Sequence, residues 1–390
     1  MPDAMPATRP LRVVIVAGEA SGDQLGAALM QALRERFPDV QFSGIGGPRM
    51  RAAGCECWHD ASELAVMGLV EVLPHLPRLL RIRRQLVARV LRERPDVYVG
   101  VDFKEFNLSV ERRLKARGVR TVQYVGPQAW AWREGRARTI GEACDEMLCL
   151  LPFEPAFYAR FGVQARFVGH PLADEIPIDG PEHRGRVAAR AALGITATTP
   201  VVALLPGSRA GGVGRRGAGV VAAARLLQAR HAGLQCIAPM ATQEAARLFR
   251  AAGAESAGIR LLDGQARLAL QAADASLVAS GTASLESLLC GCPMVVAYRL
   301  GALTAFLLRR LRLVKLAHFS LPNLLAGEPL VPEYFQEAAT PAALAAAVEA
   351  QLAPGPARER QLERFRAFHE GLRQGGAARA AEAIAALVSR

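Results

Sequence analysis

In a chain of 390 residues, no apolar stretch approaches the roughly 20 consecutive residues that a spanning helix needs. The run Leu11-Arg12-Val13-Val14-Ile15-Val16 is short and gives way to Glu19. That suits a first strand and neither a signal peptide nor an anchor, so a cytoplasmic chain is expected. Paired Cys-x-x-Cys motifs are missing too. The seven cysteines, an odd number, include Cys55-x-Cys57 and Cys290-x-Cys292, a pattern of free thiols in a reducing compartment without the four-ligand spacing of a zinc site. No acidic pair marks a divalent cation, and neither a metal nor a cofactor is expected. Aromatics make up only 6% and no nucleic-acid module is recognisable. The net charge of +12, mainly arginine spread through helices, is therefore explained as well by anionic lipid or phosphorylated ligands as by nucleic acid. A DNA-binding protein, the rival from another class, would bind duplex with a steep salt dependence.

What is present is apolar bulk and alternation. At 51% hydrophobic the chain can fill two α/β cores, as chains beyond about 250 to 300 residues tend to do. Apolar strands and amphipathic helices alternate from Leu11 to about Ala173, and the pattern restarts at Pro200. Between them lies a polar, breaker-rich join from Ile176 to Arg186. The expected division is a first Rossmann-like domain over 1–175, a linker over 176–186, a second such domain over 187–355, and C-terminal helices over 356–390 that return to the first domain.

The most informative phrase is Ser280-Gly281-Thr282-Ala283-Ser284-Leu285-Glu286, which follows the apolar run Ala275–Ala279 and opens a helix. Small residues there let the backbone approach a pyrophosphate, and Glu286, one turn on, could reach ribose hydroxyls. The other reading is an ordinary strand-to-helix turn. A second strand, Val201–Leu205, ends in Pro206-Gly207-Ser208-Arg209, which brings a guanidinium to the same sheet edge. Arg209 either neutralises a diphosphate or pairs with a surface carboxylate. A third phrase, Ser320-Leu321-Pro322-Asn323-Leu324-Leu325-Ala326-Gly327, offers Asn323 as a sugar or base contact, or as an Asx turn.

These phrases fall in order with others: Val16-Ala17-Gly18-Glu19-Ala20-Ser21-Gly22-Asp23, Gly44-Ile45-Gly46-Gly47, Met67-Gly68-Leu69-Val70-Glu71-Val72, Val99-Gly100-Val101-Asp102, Trp130-Ala131-Trp132-Arg133, Leu151-Pro152-Phe153-Glu154 and Gly169-His170-Pro171. Together, over roughly positions 11 to 350, they resemble the lipid-A-disaccharide synthases, a family of bacterial glycosyltransferases. The resemblance implies an α/β fold of the GT-B type, two Rossmann-like domains with parallel sheets facing across a cleft. It implies an inverting hexosyl transfer from UDP-2,3-diacylglucosamine to 2,3-diacylglucosamine 1-phosphate, which releases UDP and forms a β-1,6 disaccharide without a metal. It also implies peripheral work at the cytoplasmic face of the inner membrane, and it leaves a homodimer open.

Inversion by displacement asks for a base on the acceptor hydroxyl and positive charge at the leaving diphosphate. Asp102, at the end of the strand Asp96–Val101, is the candidate base by its match to the family; its other reading is a helix cap. Arg209 is the matching catalytic cation, with Gly207, Ser208, Ser280, Gly281, Thr282, Glu286 and Asn323 on the nucleotide. Glu19, Ser21 and Asp23 replace a Gly-x-Gly-x-x-Gly dinucleotide loop and are candidates for the acceptor side, though Ser21 or Asp23 could simply cap the next helix. His170, before a proline, is a phosphate contact, a hinge or a structural histidine.

The chain departs from the family at several positions. Gly212 stands where a glutamate is usual, inside a run from Gly211 to Gly219 that holds five glycines. Each glycine costs about 1 kcal/mol against alanine inside a helix, so this helix is expected to start late or fray. Lys104 stands beside Asp102, in Phe103-Lys104-Glu105-Phe106-Asn107, and would favour its ionised form if close.

Two stripes could touch a bilayer. One lies within Met67–Leu91, with Leu69, Leu73 and Leu76 beside Arg78, Arg81, Arg83 and Arg84. The other holds Phe306 and Leu307 beside Arg309 and Arg310. The ordinary alternative is a core-facing stripe with a solvated basic face. Two closer rivals remain: a degenerate family member that binds UDP-sugar without turnover, and another GT-B transferase acting on a lipid acceptor. The one that glycosylates the peptidoglycan lipid precursor opens with a Gly-Gly-Thr-Gly-Gly-His loop, which Gly18 to Asp23 lack.

Overall fold

The computed structural model describes residues 9–64, 72–132, 136–178, 184–208, 210–279, 281–299 and 318–389. The chain divides into two compact units: residues 1–174 with 372–390, and residues 175–371.

The first unit is built on seven parallel strands: β1 (Arg12–Ala17), β2 (Gln41–Gly46), β3 (Glu56–Asp60), β4 (Val97–Val101), β5 (Thr121–Tyr124), β6 (Glu146–Cys149) and β7 (Ala165–Phe167), in the order β3-β2-β1-β4-β5-β6-β7. The apolar runs noted in the sequence are these strands, because a parallel sheet covered on both faces needs apolar side chains on both. On β1, Val13, Ile15 and Ala17 enter one core with Leu29 and Leu33 of the helix Ala20–Arg36. Val14 and Val16 enter the other with Ile82, Leu86 and Val90 of the helix Val72–Glu93.

The second unit repeats the plan with β8 (Val201–Leu205), β9 (Gln235–Met240), β10 (Arg260–Asp263), β11 (Ala275–Ala279), β12 (Met294–Tyr298) and β13 (Glu333–Phe335), ordered β10-β9-β8-β11-β12-β13. In both sheets the strand order reverses beside the first strand, at β1/β4 and at β8/β11. Ligands of such sheets bind at the carboxyl ends of strands at these switch points.

The C-terminal segment is shared between the units. The helix Pro356–Leu372 belongs to the second, where Phe365 is buried and the Gln361 side chain accepts from the Met294 backbone N–H at 2.9 Å. Only the helix Gly376–Val388 belongs to the first unit, because its alanines and Ile384 form a small-residue face that packs on the helix Ala20–Arg36. Asp174 fixes the return by accepting from Gly375 N at 2.9 Å and Gly376 N at 2.7 Å.

Two expectations change. The glycine run does not delay its helix, which is continuous from Ala210 to Arg230. Tertiary contact outweighs propensity here: a Cβ on Gly217 would sit 3.3 Å from both Ala252 and Phe249, so a small residue lets the next helix approach. The apolar stripe of Val72–Glu93 is mainly core-facing, with Ile82, Leu86 and Val90 buried. Leu76 remains 41% exposed. Leu69, Phe306 and Leu307, and the side chain of Leu73, lie outside the described residues.

Candidate active site

In the first unit, Ala17 and Val101 are register partners, so the residues after β1 and β4 emerge together at the switch point. A Cβ on Gly18 would fall 2.6 Å from the Phe103 ring, so this turn leaves no room for a side chain. Asp102 and Phe103 both have positive φ, 49° and 38°. Consecutive non-glycine residues in this region store strain and persist only where the surroundings over-determine them. The surroundings do so here. The Asp102 carbonyl accepts from the amides of Asn107 (3.0 Å) and Gln123 (3.1 Å), and its N–H donates to Tyr124 O at 2.8 Å. Asn107 is itself held by the Tyr98 hydroxyl at 2.9 Å and by Val16 O at 3.2 Å.

Among the described residues the Asp102 side chain makes no hydrogen bond. The helix Lys104–Lys115 is capped by Phe103 without a side-chain bond, so Asp102 is not its cap. Lys104 forms no ion pair with Asp102 among the described residues; its charge acts on Glu154. Glu19 lies exposed in the turn after β1, at the N-cap of the helix Ala20–Arg36, and Ser21 lies exposed in that helix's first turn.

Asp23 is a correction. Its buried carboxylate accepts from Gly47 N (2.7 Å), Arg49 N (2.9 Å) and Met50 N (3.1 Å), and so ties the loop after β2 to the first helix. At 3% exposure it is turned to these backbone groups and away from solvent, where a ligand would bind. Nor does His170 act as a cation. Burial lowers it to about 4, its Nδ1 accepts from Leu172 N at 3.2 Å, and its backbone N–H holds Leu372 O at 2.9 Å where the chain returns to this unit.

In the second unit a cavity of about 510 Å³ opens at the β8/β11 switch point, lined by Gly207, Ser208, Gly281's neighbour Thr282, and Glu286. Val278 faces Leu205 in register, which brings the two turns together. Gly207 and Gly281 have φ of 132° and 111°, conformations that exclude a Cβ and bare the backbone. The helix Thr282–Leu289 begins at this edge, and Glu286 is half-buried. Burial raises its pKa above the ordinary value, with Arg267 opposing. Arg209 and Ser280 lie outside the described residues.

Asn323 does not reach the cavity. Its buried side chain donates to Val331 O (2.9 Å) and accepts from Leu330 N (2.8 Å) and Val331 N (2.7 Å), which makes it the staple of its own loop. Sequence reasoning passed over Arg215, Arg216, Gln265, Tyr298 and Arg299, which also line the cavity. Adjacent arginines within the glycine run were the only signal in the chain itself. Asn107 and Gln123 were missed as well, although Asn107 sits in the phrase that follows Asp102.

Two doubly wound parallel sheets, each with polar groups gathered at its switch point, define an α/β protein of the GT-B type. The fold is that of CalG4, the calicheamicin glycosyltransferase, with a TM-score of 0.60 at 15% identity over 98% of this chain and 99% of that one. It is also that of the UDP-GlcNAc 2-epimerase from Neisseria meningitidis bound to UDP-GlcNAc, with a TM-score of 0.61 at 10% identity over 97% and 100%.

The family model described as lipid-A-disaccharide synthetase matches residues 13–388. The lipid-A-disaccharide synthase of Pseudomonas aeruginosa (strain UCBPP-PA14) is 51% identical over 97% of this chain and 99% of the relative. That of Xanthomonas campestris pv. campestris (strain 8004) is 49% identical over 97% and 86%. The chain belongs to the lipid-A-disaccharide synthase family of glycosyltransferases.

Proposed function

We propose that the chain transfers a 2,3-diacylglucosamine unit from UDP to the 6-hydroxyl of 2,3-diacylglucosamine 1-phosphate, inverting the α-linkage of the donor to a β-1,6 bond and releasing UDP. The observation that carries this reading is the cavity at the β8/β11 switch point, where backbone bared by Gly207 and Gly281 meets arginines and a half-buried carboxylate. Backbone N–H groups at a helix start suit the diphosphate, and Glu286 suits the ribose hydroxyls. Arg209 and the cavity arginines meet the charge that grows on the leaving UDP, so the reading assigns no metal.

Asp102 takes the proton from the acceptor hydroxyl as the new C–O bond forms and the C–O bond to the diphosphate breaks. A strained backbone held by two amides and a carboxylate without a hydrogen bond among the described residues support that role. Glu19 and Ser21, beside it, face the acceptor. The lipid substrates place the work at the cytoplasmic surface of the inner membrane, with exposed Leu76 and its neighbouring arginines as the contact.

The test is UDP release by the full chain given UDP-2,3-diacylglucosamine, with and without acceptor, followed by mass analysis of the lipid. Acceptor-dependent release with a tetra-acylated disaccharide monophosphate is the expected result. UDP binding without turnover would instead identify a degenerate binder.

A further inference from the structure

We propose that Arg216 is a second cation on the UDP diphosphate, admitted to the cavity by the glycine at position 212. This deepens the nucleotide reading of the same cavity and rests on it. The Arg216 side chain is drawn to the cavity edge from the second turn of the helix Ala210–Arg230. Its Nε donates to Pro206 O at 2.8 Å and its Nη1 to Arg299 O at 3.3 Å, so it ties the segment after β8 to that after β12.

These bonds orient the guanidinium so that Nη2 covers the bare backbone of the turn. It lies 2.5 Å from where a Cβ on Gly207 would be, and closer still to a Cβ on Gly212. Any side chain at 212 would displace it. The usual family glutamate at this position would do so, or would pair with it and cancel its charge.

The residue is only 9% exposed, yet no carboxylate pairs with it among the described residues. Its charged neighbour is another cation, Arg215, and the Tyr298 ring centroid lies 6.0 Å away. A buried cation without a counter-charge is costly, and two carbonyls offset only part of that cost. An anion in the cavity completes it. A planar fork beside a phosphate-binding turn suits two oxygens of a diphosphate, and gains far less from an uncharged nucleoside.

The experiment is calorimetric titration of the full chain with UDP and with uridine, for the wild type, Arg216→Met and Gly212→Ala, with melting curves for each. Arg216→Met is expected to weaken UDP on the order of tenfold or more while leaving uridine unchanged, as loss of a charge-assisted contact requires. Gly212→Ala guards against a folding defect. It improves helix propensity, so its melting temperature should hold or rise while it pushes Nη2 aside and lowers UDP affinity selectively. Equal loss of UDP and uridine, or unchanged UDP affinity in a folded Gly212→Ala protein, would overturn the role of Arg216 alone. A folded wild type that binds no UDP would overturn the nucleotide reading itself, and this proposal with it.

Discussion

The side-chain amide of Asn107 donates to the backbone carbonyl of Asp102 across 3.0 Å, which ties the helix Lys104–Lys115 to the strained residue at the end of β4. Asn107→Ala removes that tie and leaves the Tyr98 hydroxyl without its acceptor. Misplacement of a reacting group by about 1 Å costs on the order of 100-fold in rate, so kcat should fall by that order while UDP affinity stays within about twofold. An unchanged kcat in a folded variant would show that Asp102 is oriented without it.

Asp102→Asn keeps the shape and removes the basic oxygen. Turnover should drop by roughly 100- to 10,000-fold, with UDP affinity retained. Wild-type rates in this variant would remove Asp102 from the chemistry.

Asn323 gives the opposite signature. Its three buried bonds close the loop before β13, and Asn323→Ala strands the Leu330 and Val331 N–H groups. Unfolding free energy should fall by about 2 to 4 kcal/mol in denaturant titrations. UDP affinity of the folded fraction should be unaltered; a selective loss of UDP binding would return Asn323 to the ligand.

Glu154 predicts a pH dependence of stability. Burial raises its carboxyl from 4.5 to about 7, against bonds from Leu151 N (2.9 Å) and the Trp130 indole (3.1 Å). The unfolded chain releases this proton first as pH rises. The group's favourable contribution is therefore full below about 4.5 and gone once pH passes about 7, a loss of about 3 kcal/mol. Denaturant titrations between pH 5 and 8 should show that decline, and Glu154→Gln should flatten it. An unchanged slope in the variant would assign the decline to another group.

Leu76 reports on the membrane. At 41% exposure on a helix whose later apolar residues are buried, it can be changed without harming the core, so Leu76→Asp should alter stability by no more than about 0.5 kcal/mol. Sedimentation with vesicles containing anionic phospholipid should show several-fold weaker binding of the variant. Equal binding would place the membrane contact elsewhere.

The apolar runs were legible as strands because a doubly covered parallel sheet demands them, and both sheet edges were legible because small residues must follow β8 and β11. Asp23 and Asn323 were not separable from ligand contacts by sequence. An acid or amide beside a helix start has the same composition whether it caps a distant segment or faces a cavity, and only the path of the chain decides which N–H groups come within 3 Å. The glycine run misled for a related reason: propensity counts what glycine costs a lone helix, and says nothing of what its missing Cβ admits.

The sequence by itself determined the parallel α/β plan, the family and the turns that bare backbone at each switch point, since these follow from local patterning. The tertiary structure alone decided that Asn107 and Gln123 hold Asp102, that the last helix closes the first core, and that Arg216 reaches back over Gly207. Those are contacts between residues whose nearness the fold creates, and no local pattern encodes them.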